Sequence, residues 1–225
     1  MNKSNIKLIL IILVIFVGIT LFIDSHETSE TGSQSIGYVV KDTYSHYPNP
    51  NGKIAIVSGM HPREKLSSQV LPIVIKIYSV LNNVEIVNYQ VIVLDNPDDF
   101  YIGRSNGEKL VHDYVVKDID KSNFDLVIIA HDHEKGYGEG FYIATPSMDS
   151  KSVILATKVM KDLDNFNYYK RNVSKIPESS SIRTVDNPIV ATGTPLFVYE
   201  IPEWLGFFEV FIESYSFIDA SFKST

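Results

Sequence analysis

Four apolar runs of strand length constrain this chain most: KIAIVSG (53–59), NYQVIVLDNP (88–97), FDLVIIAHDH (124–133) and TPLFVYEI (194–201). LVIIA within the third is apolar at consecutive positions, so both of its faces must be covered, as in a central parallel strand. Segments of helical period separate the runs. Leu66, Val70, Val74, Ile77, Tyr78 and Leu81 recur at helical spacing between Arg63 and Leu81. GEKLVHDYVVKDI (107–119), Asp149 to Leu163 with Asp149 as its cap, and the aromatic-rich Phe207 to Phe222 read the same way. EGFYIAT (139–145) supplies a further strand. The alternation predicts an α/β fold, with a mixed, mostly parallel central sheet and helices on both faces.

The 225 residues suit one domain with short appendages, and 44% hydrophobic composition suffices for a substantial core. A net charge of -7 lacks the basic footprint of a nucleic-acid binder. Cysteine is absent, so any metal must be held by His, Asp or Glu. At the N-terminus, Lys3 and Lys7 precede an uncharged apolar run, Leu8 to Ile23, and acidic residues follow it. This pattern predicts a cytoplasmic N-terminus (1–7) and a transmembrane helix (8–23) that places the remaining chain outside the cytoplasm. A cleaved signal peptide is the alternative, although no small-residue cleavage site is evident. DSHETSETGSQS, polar and without apolar periodicity, reads as a flexible linker over 24–36, leaving 37–225 as the domain.

Ligand and catalytic sites in such sheets lie at the C-terminal ends of the strands. There this sequence places His61, His131, His133, Glu64 and Glu200. His61 and Glu64 follow the first run in an H-x-x-E spacing that can turn both side chains to one side. His131 and His133 end the third run, two residues apart and so on one face, and either could complete a site. Glu200 ends the last. Two imidazoles and a carboxylate suit zinc with a position open for water. SKIPESSSIRTVDNP (174–188) is loop-like and could border the site, and NVS at Asn172 is a glycosylation sequon.

Four segments in order resemble the zinc carboxypeptidase family, which includes the succinylglutamate desuccinylase and aspartoacylase-like deacylases. GMHPRE resembles its Gly-x-His-x-x-Glu zinc motif, LDNPDDFYIGR its Asn-Pro-Asp-Gly segment, FDLVIIAH the strand bearing its second zinc histidine, and GTPLFVYEIPEW the strand ending in its catalytic glutamate. The resemblance implies Zn²⁺ on His61, Glu64 and His131, Glu200 as general base and Arg104 as a carbonyl-polarising group. It also suggests Arg63 as a wall of the substrate cleft.

The chain departs from the family where a substrate carboxylate is usually gripped by an Asn-Arg pair. GEKLVHDY puts Val111 and His112 at those places. His112, or Arg183 from the loop, remains as a candidate clamp. Asp99 replaces the usual Gly of the turn, and Ile129 replaces an Asp two before the strand histidine. The expectation is a membrane-anchored, extracytoplasmic zinc hydrolase cleaving an amide bond in a peptide, a cell-wall peptide or an N-acyl amino acid. A degenerate binding domain of the same fold is the alternative.

Overall fold

The computed structural model describes Lys7, residues 26–32 and residues 35–225; the apolar run expected to span a membrane lies outside them. Among the described residues no helix is long and apolar enough to cross a membrane. Eight strands form one sheet: β1 (His26–Thr31), β2 (Gly37–Ser45), β3 (Lys53–Ser58), β4 (Glu85–Val93), β5 (Leu126–His133), β6 (Phe141–Ala144), β7 (Phe166–Tyr169) and β8 (Leu196–Pro202). Their spatial order is β1-β2-β4-β3-β5-β8-β6-β7. The four central strands, β4, β3, β5 and β8, are mutually parallel. β2 and β6 flank them antiparallel, so the sheet is mixed with a parallel centre, as the alternating runs predict.

Strand parity divides the core. Ile54, Ile56, Leu126, Ile128, Phe197 and Tyr199 face one side. There they meet α1 (Lys65–Leu81), α4 (Ser150–Val159) and α6 (Phe207–Ser224). Ala55, Val57, Val127, Ile129, Leu196 and Val198 face the other. That side is covered by α2 (Phe100–Leu110), α3 (Val116–Ile119) and α5 (Asn187–Ala191). Full burial of an aliphatic side chain is worth roughly 1.5–3 kcal/mol, and both faces are lined with such residues. The consecutive apolar positions of the central strands therefore follow from two-sided coverage.

Two expectations need correction. The stretch read as a flexible linker contains β1, which pairs antiparallel with β2 from His26↔Tyr44 to Thr31↔Val39. An edge strand needs backbone pairing but no buried face, so its polar sequence carries no apolar signal. The helix expected from Gly107 starts at Phe100, capped by Asp99, whose side chain accepts from the amides of Tyr101 and Ile102. α2 then runs through a π-helical turn, Val111–Val115, into α3. A second π-helical turn, Ile182–Asp186, precedes α5.

Candidate metal centre and its cavity

The first half of the site is a turn. β3 ends at Ser58, and Gly59 follows with φ +75°, where a Cβ would lie 2.6 Å from the Val91 carbonyl oxygen. His61 to Glu64 then close a β-turn, the Glu64 amide donating to the His61 carbonyl at 3.0 Å with Pro62 at the position proline favours. Residues i and i+3 of such a turn lie side by side. The His61 Nδ1 is accordingly 2.7 Å from Glu64 Oε1.

β5 delivers the other half. Its parity sends Val127, Ile129, His131 and His133 to the α2 side and Asp132 to the α1 side. His131 Nδ1 lies 2.6 Å from Glu64 Oε2, and the His61 and His131 rings stack with centroids 4.4 Å apart. Asp132, on the opposite face, accepts from the amides of Leu66 at 2.6 Å and Ser67 at 2.8 Å. These are orphan donors of the first turn of α1, so Asp132 ties the end of β5 to the helix that begins beside Glu64. Burial raises the Asp132 carboxyl to about 6, against the pull of those two amides.

His61, Glu64 and His131 each offer a ligand atom, all within 4.8 Å of one another. Two imidazole nitrogens and one carboxylate, with no fourth protein donor in the group, match an open metal site that leaves room for water. Burial disfavours charge on Glu64, but His131 and His61 outweigh it and lower its pKa. The His131 ring, despite burial, is raised by Glu64. The His61 Nε2 is buried without a hydrogen-bond partner, and the nearest carboxylate, Glu108 Oε1, stands 3.6 Å away. A carboxylate behind a ligating histidine is the usual means of fixing its ring. The donor set and this backing fit a metal ion. His133 is placed differently: its Nε2 lies 2.9 Å from the Gly140 carbonyl and its ring packs edge-on to Trp204. Between the two histidines of β5, the structure brings His131 to Glu64.

Glu108 depends on a close approach. A Cβ on Gly107 would fall 1.7 Å from the Met60 carbonyl oxygen, so only glycine lets α2 lie against the turn at this point. Glu108 then accepts from Ser181 Oγ at 2.6 Å, Ser180 Oγ at 2.9 Å and Arg104 Nε at 3.1 Å. Burial alone would raise its pKa, but His61, the two serines and Arg104 hold it at about 2. Arg104 also donates to Ser181 Oγ at 2.8 Å.

His61, Glu64, His131, Arg104 and Ser181 border a cavity of about 730 Å³ at the C-terminal ends of the central strands. Glu200 enters it from β8, where it pairs with His131 on one side and Tyr142 on the other. Burial pushes the Glu200 carboxyl up to about 7, with Glu64 and Asp132 adding to the rise. Arg63 lies at the wall, its guanidinium 5.9 Å from the Phe100 ring. The loop expected to border a site does so through Ile176, Pro177 and Ser179.

The two candidate clamps do not reach the cavity. The His112 ring is exposed and its Nδ1 sits 2.8 Å from the Thr184 carbonyl, bridging the two π-helical turns. Arg183 is exposed and donates to the Glu178 carbonyl at 2.9 Å. Both project outward because the buried positions of their turns are taken by Val111, Val115, Ile182, Val185 and Asp186. Conversely, Glu108, Asp132, Asp186 and Arg171 stand at or behind the cavity without having been singled out in the sequence. Asp132 carried a signal, since parity places it opposite the two histidines. For Arg171 the sequence offers none.

No protein-family model matches the sequence, and no curated protein matches it. Solved structures match the fold. A metallo-carboxypeptidase from Burkholderia cenocepacia superposes with a TM-score of 0.63 at 12% identity, over 92% of this chain and 67% of that one. A metallo-carboxypeptidase from Pseudomonas aeruginosa, in complex with (2-guanidinoethylmercapto)succinic acid, gives 0.60 at 11% over 92% and 66%. The tripeptide-bound cell shape determinant Csd4 from Helicobacter pylori gives 0.53 at 10% over 88% and 55%. This chain thus spans about two thirds of the two carboxypeptidases and little more than half of Csd4. The fold implied by the four sequence segments is the fold observed, that of the zinc carboxypeptidases.

Proposed function

We propose that this chain is a zinc-dependent hydrolase of carboxypeptidase type that cleaves an amide bond in a peptide, a cell-wall peptide or an N-acyl amino acid. One observation carries the reading: a carboxyl outside the metal group, Glu200, stands on the strand beside His131 within the same cavity. His61, Glu64 and His131 would hold the ion. A zinc ion so held supplies a Lewis acid that lowers the pKa of water towards about 7. Glu200, a half-buried carboxyl on the strand beside His131, would accept a proton and pass it to the leaving amine. Arg104, fixed by Glu108 and Ser181, lines the cavity and would meet the charge that develops on the carbonyl oxygen. Glu108, 3.6 Å behind the His61 Nε2, would steady that ring towards Glu64. The tripeptide bound to Csd4 supports a peptide as substrate. The flanking lysines and the apolar run 8–23 support an N-terminal anchor with the catalytic domain outside the cytoplasm.

The test uses the full chain purified in detergent. Elemental analysis should find about one zinc per chain, lost in His61→Ala, and amino acid should be released from a panel of peptides and N-acyl amino acids. A chain that takes up no metal ends the hydrolase reading. A chain that holds zinc but turns over nothing in the panel favours the binding-domain alternative.

A further inference from the structure

Outside the cavity, one face of the molecule is apolar and exposed. α1 and α6 lie side by side on one side of the sheet, Tyr78 packing against Tyr215 and Phe222. α1 links β3 to its parallel neighbour β4, so it runs back along the strands. α6 leaves the C-terminal end of β8, and with late residues of both helices in contact it runs the same way. The same step back along each helix brings Ile73 level with Ile212. Phe208 is 78% exposed, Ile212 60% and Ile73 42%. Phe208 and Ile212 lie one turn apart on one stripe of α6. Phe207, also exposed, extends the stripe, its ring 5.6 Å from that of Phe208. Single exposed apolar residues are ordinary, whereas a contiguous group of them marks an interaction surface.

The charges along the two helices select what covers this groove. α1 carries Lys65 and Lys76 and no carboxylate. α6 carries Glu209, Glu213 and Asp219 against Lys223 alone. Glu209 and Glu213 each accept one hydrogen bond within the chain, from the Gly206 amide and the Asn165 side chain, and keep acceptor sites to spare. The groove therefore has a basic bank and an acidic bank. A second copy, turned about a two-fold axis along the groove, sets its acidic α6 against this α1 and its basic α1 against this α6. Residues at one level then meet, Ile73 opposite Ile212 of the partner subunit.

The proposed N-terminal anchor favours the same arrangement. A two-fold axis relating copies anchored from one side of a bilayer must run along its normal. The described part of β1 begins at His26, which pairs with Tyr44, itself beside Ile86, in the row where the parallel strands start. The anchor thus joins the foot of the sheet, while α1 and α6 stand along the strands. Their groove faces a neighbouring copy rather than lipid, and it runs in the direction that the axis requires. Confinement to one bilayer raises the effective concentration of the copies.

We propose that the groove between α1 and α6 is a homodimer interface, closed by a second copy of this chain about a two-fold axis along the groove. The proposal rests on the anchor in the functional reading above and on none of its chemistry. The chain has no cysteine, so single cysteines report without background. Differently tagged, zinc-loaded full chains bearing Ile73→Cys or Ile212→Cys are reconstituted together in phosphatidylcholine vesicles and mildly oxidised. The mixed cross-link should form at least ~10-fold faster than one between chains bearing Lys117→Cys, exposed on the other side of the sheet. Phe208→Glu in both chains should remove that advantage. Equal rates at all three positions, or faster pairing of Ile212→Cys with itself than with Ile73→Cys, overturn the interface. So does an Ile212→Cys chain that the vesicles shield from a water-soluble maleimide without cross-linking, since lipid then covers the groove. Vesicle flotation reports the anchor separately. A chain that floats and does not cross-link overturns the dimer; one that cross-links without floating keeps the dimer and loses the anchor.

Discussion

His131 and Glu200 occupy one row of the sheet, paired across parallel β5 and β8 and facing the same side. A histidine that meets Glu64 and a carboxyl that does not are thus held side by side by backbone hydrogen bonds rather than by flexible loops. In the proposed reaction this arrangement would separate metal binding from proton transfer and leave the two open to separate disruption.

Glu200→Gln should lower kcat by about 10²–10⁴-fold while leaving the metal content near that of the parent. Paired turnover and elemental analysis of the same preparation decide it. Loss of the metal together with activity would make Glu200 a ligand instead.

His131→Ala should abolish metal binding, whereas His133→Ala should retain it. The His133 ring is held at the Gly140 carbonyl and against Trp204, outside the group that converges on Glu64. Equilibrium dialysis with zinc gives both values. Equal loss in the two variants would contradict the geometry of β5.

Glu108→Ala should weaken zinc binding by about 10–100-fold, the usual effect of removing the group behind a ligating histidine. Gly107→Ala should be worse for the fold, because the added methyl would collide with the Met60 carbonyl oxygen, a backbone atom that cannot turn aside. A loss above ~2 kcal/mol in urea denaturation is expected there. A fully stable Gly107→Ala chain would mean that α2 does not lie against the turn.

Asp186 gives a pH dependence in the zinc-free chain. Its folded pKa is raised from 3.8 to about 7, so between those values the folded chain keeps a proton that the unfolded chain has released. The contribution of Asp186 to stability must therefore fall as pH rises from about 4 to about 7 and level off above. Asp186→Asn lacks this penalty. Its advantage over the parent should grow across that window, to at most ~4 kcal/mol. Urea denaturation with a chelator from pH 4 to 8 measures the difference; a flat difference would show that the carboxyl is not desolvated.

The residues that could be read from the sequence are those whose position follows from periodicity. Consecutive apolar positions in LVIIA mark a strand covered on both faces, and the ends of such strands carry His131 and Glu200. His61 and Glu64 were readable because a turn brings i and i+3 together. β1 left no trace, since an edge strand of HETSET is held by its backbone. Arg171 and Asp186 were invisible for another reason: they come from a strand end and a π-helical turn, and only tertiary packing decides that they share a wall. His112 and Arg183 misled because their chemistry suited a clamp, while the side of the turn on which each would project could not be read from spacing.

The register of β1 has a consequence for reach. His26 lies in the row of Tyr44, Ile86, Ile54 and Leu126, at the end of the sheet opposite Glu200. Only Asp24 and Ser25 separate it from Ile23, the end of the proposed anchor. Three residue steps span at most ~11 Å, too short a leash for the domain to turn over. The anchor would then hold the domain base-down on the bilayer, with its mouth a strand length or more away and pointing outward. Such an enzyme would work on material that comes to it from the surrounding layer, and bonds at the lipid surface would lie behind it.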